Sequence, residues 1–261
     1  MTHIPFKVSL LRLVFLLLPV TVAAQEARLS DYVDPRIGSE GLGRVFIGPS
    51  CPYGMVKPSP DCTVHPNSGW LPMPEQVNGF SQVHVSGTGG GPKYGNILVM
   101  PFGKGMDQLN HIDYRKDETI RLGYYATEFQ RTGIYTEITT APRASFYRFT
   151  YPEDSLKSLL VDAGFFLGEQ PTPDAREAQQ FVGSEIQIIS DHEVMGYTRI
   201  RGGWNNGRAY TVYFYAVTET IPLYKRPHGK EAKSAMNDTS QTPNKKPELC
   251  CVSLLLQIPF N

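Results

Sequence analysis

From Gly123 to Val217 the sequence is a succession of short runs rich in aromatic and β-branched residues, separated by turn residues and without a long stretch of helical period. Such runs pack well on a pleated sheet and poorly in a helix, so this region predicts strands. Seven runs qualify: Tyr124–Phe129, Ile134–Thr140, Ser145–Tyr151, Ser158–Ala163, Glu185–Ile189, Val194–Ile200 and Tyr210–Val217. In Ile134-Tyr135-Thr136-Glu137-Ile138 apolar and polar positions nearly alternate, the pattern of a strand with one buried and one wet face. Thr132-Gly133, Asp191-His192, Gly202-Gly203 and Asn205-Asn206-Gly207 supply the turns. A single sheet would leave one apolar face in water, so the fold class predicted is an all-β antiparallel sandwich of two stacked sheets. Phe146 and Phe149 then lie on opposite faces of one strand, with at least one in the core. Only Pro171–Gln180 reads as a short helix, within a connection.

The flanks differ from this central part. Asp34–Gly105 is rich in Gly and Pro with short apolar runs, and reads as long loops. At the amino terminus Lys7 and Arg12 lead into the apolar run Leu13–Val22, and Val22 and Ala24 stand where a signal peptidase reads small residues before Gln25. Residues 1–24 are therefore expected to be an export signal, since the run falls short of the roughly 20 apolar residues that span a bilayer. No membrane association is expected once it is removed. The sandwich is assigned to residues 25–224. Lys225–Lys246 is polar and aperiodic, and Leu249–Asn261 stops without a turn or cap. Residues 225–261 thus read as a flexible or aberrant tail, from truncation or a shifted reading frame, with a genuine last strand as the alternative.

Twenty-five basic and 25 acidic residues give no net charge, hence no field that would gather nucleic acid. Export permits disulfides, and Cys51 could pair with Cys62, but the four cysteines form no framework; Cys250 and Cys251 are adjacent, and neither pair has the spacing of a zinc or redox site.

The densest polar constellation runs from Gly79 to Asn96. Gln82-Val83-His84-Val85-Ser86 alternates as a strand would, delivering His84, Ser86 and Thr88 into the glycine loop Gly87–Gly91. A row of hydrogen-bonding groups at a cavity edge and a purely structural turn both account for it. A phosphate loop does not: Pro92 separates the glycines from Lys93, no Ser or Thr follows that lysine, and Ile97–Met100 reads as a strand where a helix is needed. There is no G-x-S-x-G elbow for a serine hydrolase. His65, His84, His111 and His192 are scattered, and no acidic calcium loop occurs.

Sugars are recognised by an aromatic ring against the apolar pyranose face, with polar groups around it. Trp70, between Asn67-Ser68-Gly69 and Leu71-Pro72, reads as a loop residue able to do this. Trp204 is a second candidate that is also explained by local packing.

Three blocks resemble the amino-terminal domain of family 92 glycoside hydrolases, exported bacterial exo-α-mannosidases. They are Val33-Asp34-Pro35-Arg36-Ile37-Gly38; Phe46-Ile47-Gly48-Pro49 with Pro52–Asp61; and Gly79-Phe80-Ser81 through His84, Ser86-Gly87-Thr88-Gly89 and Tyr94-Gly95-Asn96-Ile97. The likeness fades towards Tyr210–Ala216. It implies a β-sandwich followed in the whole enzyme by a helical catalytic barrel, an active site between them, and inverting, calcium-dependent hydrolysis of mannose-containing glycans in the periplasm or outside the cell. Inversion needs two carboxyl groups roughly 6.5–9.5 Å apart; the resemblance places them in the barrel, for which this chain is too short, and implies calcium for the full-length enzyme. What it implies for this segment is a substrate-binding role for Trp70, His84, Ser86, Thr88, Gly89 and Tyr94, with no catalytic or metal-binding residue. An independent secreted carbohydrate-binding module is the alternative.

Overall fold

The structure is a computed structural model. It describes residues 28–257 except 42, 65–66, 88–90, 108, 154, 156, 169–177, 206–207 and 220–247, with the last strand, 248–257, described as backbone. The expected export signal therefore lies outside the described residues, as do 225–247. The chain divides into two units, Met1–Val33 and Asp34–Asn261. In the first, Leu29–Tyr32 forms a 3-10 turn whose Asp31 carboxylate accepts the Arg28 N–H at 3.1 Å.

The second unit is all-β. Among its described residues there is no α-helix, and every strand pairing is antiparallel. The strands are β1 (Ser59–Cys62), β2 (Gln76–Ser81), β3 (Leu98–Phe102), β4 (Asp113–Arg121), β5 (Tyr124–Phe129), β6 (Tyr135–Ala141), β7 (Ala144–Tyr151), β8 (Ser158–Asp162), β9 (Gln179–Ser190), β10 (Glu193–Gly202), β11 (Ala209–Thr218) and β12 (Glu248–Gln257). Their order is β8-β3-β2-β4-β5-β6-β7-β12-β11-β10-β9, with β1 on β2. The two layers of the sandwich are thus joined: β2 and β4 share only the pairs Gln76 with Tyr114 and Val77 with Asp113 before the path turns. Across the interior Phe80 of β2 meets Tyr125, Phe129 and Tyr147 at ring distances of 6.0, 6.0 and 6.2 Å.

All seven predicted strands form, and β7 alternates as required, with Phe149 buried and Phe146 41% exposed. Other expectations are corrected. The loop-dominated region 34–105 contains β1 and β2 besides the strand expected at Ile97–Met100, which forms as β3; β1 and β3 are buried throughout, and β2 from Gly79 onward. The alternating segment Gln82–Ser86 is not a strand: β2 ends at Ser81, and only Val83 makes a bridge, to Gly95. Of the expected helix Pro171–Gln180, residues 171–177 lie outside the described residues, while Gln179 and Gln180 begin β9. Glu248–Gln257, read as tail, forms β12 between β7 and β11 and satisfies the backbone edges of both. Cys51 and Cys62 are free thiols.

Candidate functional site

His84 follows β2 and is drawn inward by two acceptors. Its Nδ1 donates to the Lys57 carbonyl at 2.7 Å and its Nε2 meets Asp61 Oδ1 at 2.7 Å, both side chains being sealed from solvent. Asp61 Oδ2 accepts the Ser81 N–H at 2.8 Å, so the carboxylate also fixes the end of β2. Ser81 Oγ lies 3.2 Å from the same Nε2. A serine-histidine-aspartate relay needs the acid on one imidazole nitrogen and the hydroxyl on the other. Here both share Nε2 while Nδ1 is held by a carbonyl, so the trio does not form that relay, and His84 supports the backbone around it. It fixes the start of the exposed segment that carries Ser86. The Ser86 hydroxyl accepts the Phe46 N–H at 3.0 Å, which leaves its own proton available to donate.

Tyr94 stands at the other end of the glycine loop; Thr88 and Gly89, between them, lie outside the described residues. Tyr94, Gly95, Asn96 and Ile97 have φ of 68°, 88°, 58° and 56°. Left-handed backbone costs a non-glycine residue roughly 1–2 kcal/mol, so the surrounding structure must over-determine this run. Gln179 Oε1 accepts the Tyr94 N–H at 2.7 Å, the Tyr94 carbonyl accepts Leu167 N–H at 2.7 Å, and Val83 and Gly95 exchange two 2.7 Å bonds. Gly95 is required here, since a Cβ would stand 2.9 Å from Leu167 N. The Tyr94 ring meets Trp204 and Tyr210 edge-on at 5.9 and 5.8 Å, and Lys93 Nζ lies 5.3 Å over the Trp204 ring. Tyr210 donates to Asn96 Oδ1 at 3.2 Å, and burial raises its phenol to about 12. The segment is therefore braced by β9 and β11. Gln179, which does most to hold it, was not legible: a glutamine beside an unassigned stretch gives no signal of a partner 85 residues away.

Trp70, expected to offer a ring from a loop, is 3% exposed and packs in the core. Its Nε1 donates to Glu118 Oε1 at 3.1 Å, beside the Arg115 guanidinium at 5.9 Å from the ring. Arg115 donates to Glu118 Oε1 and to the Leu71 carbonyl, each at 2.6 Å, and Tyr125 donates to the same carboxylate at 2.5 Å. Burial first, then the Glu118 charge, pushes the Tyr125 phenol well above its ordinary range. Trp204, by contrast, is 44% exposed at the glycine segment.

The family model for the "Glycosyl hydrolase family 92 N-terminal domain" matches residues 32–247, and the chain belongs to this family. Over 149 residues it is 34% identical to an uncharacterized secreted glycosidase of the fungus Arthroderma benhamiae, a match covering 52% of this chain and 19% of that protein. A family GH92 α-mannosidase from Bacteroides thetaiotaomicron, solved in complex with mannoimidazole, superposes with a TM-score of 0.69 at 26% identity, over 88% of this chain and 32% of that one. A family GH92 inverting mannosidase from the same species shares the fold, with a TM-score of 0.53 at 19% identity over 89% of this chain and 30% of that one. The chain thus spans a fifth to a third of these relatives' length. No helix among the described residues is long and apolar enough to cross a membrane.

Calcium, implied by the family, does not fit the carboxylates described here. Asp61 is engaged by His84 and Ser81, Glu118 by Arg115, Tyr125 and Trp70, and Asp113 by the backbone of Tyr114, Arg131 and Thr132. No group of three His, Cys, Asp or Glu converges among the described residues.

Proposed function

We propose that this chain is the sugar-facing, non-catalytic amino-terminal domain of an exported exo-α-mannosidase acting on α-mannosides or N-glycans. The observation that carries the reading is the superposition, over 88% of the chain, on an α-mannosidase of the same family. In this reading Ser86 and Tyr94, at the two ends of the braced glycine segment, face the saccharide; Ser86 donates its hydroxyl proton, and the left-handed run fixes the approach of the backbone. Trp204, exposed beside Tyr94, takes the aromatic role that Trp70 cannot. The acid and base are supplied by a part of the enzyme outside this domain, and the domain works in the periplasm or outside the cell.

Calorimetric titration of the chain, freed of residues 1–24, with α-mannobiose tests this. Saturable binding is expected, weakened about fivefold in Ser86→Ala at unchanged melting temperature, as for the loss of one hydrogen bond. No mannose should be released in calcium buffer above a host-only control. Turnover above that control, or an absence of binding, contradicts the proposal.

A further inference from the structure

Away from the glycine segment, the start of β4 and the turn after β5 enclose an open groove of about 600 Å³, lined by Gln76, Asn110, Ile112, Asp113, Tyr114, Gln130 and Arg131. We infer that this groove is a second binding site, for a neutral saccharide of one or two rings.

The floor is rigid. Asp113 is 1% exposed, and its carboxylate accepts four bonds: Tyr114 N at 2.7 Å, Arg131 N at 2.8 Å, Thr132 N at 3.2 Å and Thr132 Oγ1 at 3.1 Å. That one side chain ties the turn after β5 to the start of β4. The Arg131 guanidinium is fixed in turn by four carbonyl-type acceptors: Asn110 Oδ1 at 3.0 Å, the Asn110 carbonyl at 3.3 Å, the Ile112 carbonyl at 3.4 Å and the Gly105 carbonyl at 3.0 Å. A site pre-organised in this way loses little side-chain entropy when a ligand arrives.

The walls have spare capacity. Gln76 and Gln130 are held through their backbones, to Thr63 and Tyr114, so their side-chain amides are not needed to secure the strands, and both residues line the groove with Tyr114. An amide both donates and accepts, which matches neighbouring sugar hydroxyls that do the same. Tyr114 is 42% exposed and Ile112 stands beside it, giving an apolar surface for the C–H face of a pyranose. One carboxylate and one guanidinium cancel, so the lining carries no net charge and favours a neutral ligand over an anion. The volume lies in the roughly 300–1,000 Å³ range of small-molecule sites. The groove is open, so it suits a position within a glycan as well as its end.

The inference deepens the proposed glycan role, on which it rests for the choice of mannosides as probes. Amide NMR spectra of the chain, titrated with methyl α-mannoside and α-mannobiose, test it. Saturable shifts are expected at Tyr114, Gln130 and Arg131, with affinity reduced about tenfold in Tyr114→Ala and also reduced in Gln130→Ala, an exposed position whose loss leaves the fold intact. Shifts confined to Ser86–Ile97 overturn this site and leave the proposed function standing. Shifts at the groove alone support the site and count against the proposed function, and silence at both overturns both. Tighter binding of mannose 6-phosphate than of mannoside at the groove overturns the neutral class.

Discussion

The His84 imidazole and the Asp61 carboxylate meet at 2.7 Å with no solvent at either side chain. This pair joins β1 to the segment leaving β2 that carries the exposed Ser86. Gly69 packs on the same contact: a Cβ there would stand 2.4 Å from Asp61 Oδ1, on a backbone with φ of 85°.

Asp61→Ala takes a buried acceptor from both His84 Nε2 and the Ser81 N–H, so it should destabilise the domain by roughly 1–3 kcal/mol for each group left unsatisfied. Gly69→Ala should also destabilise, through overlap and backbone strain. Urea unfolding reads both. A loss below about 1 kcal/mol in Asp61→Ala would show that the pair does not organise the region.

Trp70→Ala should behave as a core truncation, lowering stability by roughly 3–5 kcal/mol, because the ring is buried and Glu118 loses a donor. Saccharide affinity of the fraction that remains folded should be unchanged. A stable variant with lost affinity would instead restore Trp70 as a sugar contact.

Phe149→Ala and Phe146→Ala separate the two faces of β7. The first removes a ring that is 0% exposed and stacks on Tyr147 at 5.7 Å; the expected loss is roughly 3–5 kcal/mol. The second should change stability by less than about 1 kcal/mol. Equal melting temperatures would contradict the register of β7.

Cys62 supplies a prediction in pH. Burial raises its thiol from 9.0 to about 11, against the opposing pull of Arg115. The folded value lies above the unfolded one, so the stabilisation is complete below pH 9 and is lost as pH rises through about 11. The native chain should therefore resist alkylation at Cys62 at pH 8 while the unfolded chain reacts. Unfolding should become easier between those two pH values by about 2–3 kcal/mol, a difference that Cys62→Ala should reduce. Rapid native labelling of Cys62 at pH 8 would show that the site opens.

The strands legible in the sequence are those with one wet face. In β7 burial alternates from Ser145 to Phe149, with Tyr147 and Phe149 inside and Arg148 outside as their types suggest, whereas Ser145 is buried and Phe146 exposed against theirs. β3 is buried throughout, so Leu98–Phe102 has no polar face to mark a period and shows only as the short apolar run at Ile97–Met100, and β1 is a buried Ser-Pro-Asp-Cys that reads as a turn. β4, Asp113–Arg121, hides behind its charges: Arg115 and Glu118 are compensated inside by each other, a pairing that composition cannot show. The same reason misplaces Trp70, whose indole is satisfied by a carboxylate 48 residues away. The polar row at His84 is legible as a cluster but not as a support, since its acceptors come from Lys57 and Asp61.

Hydrogen exchange at the Tyr94–Ile97 amides, measured with and without saturating α-mannobiose, tests most directly whether the braced glycine segment faces the sugar. The account predicts slower exchange there on binding, with the slowing lost in Gln179→Ala as the clamp on Tyr94 is released. Exchange at these amides that is indifferent to the disaccharide, while another surface becomes protected, would contradict it.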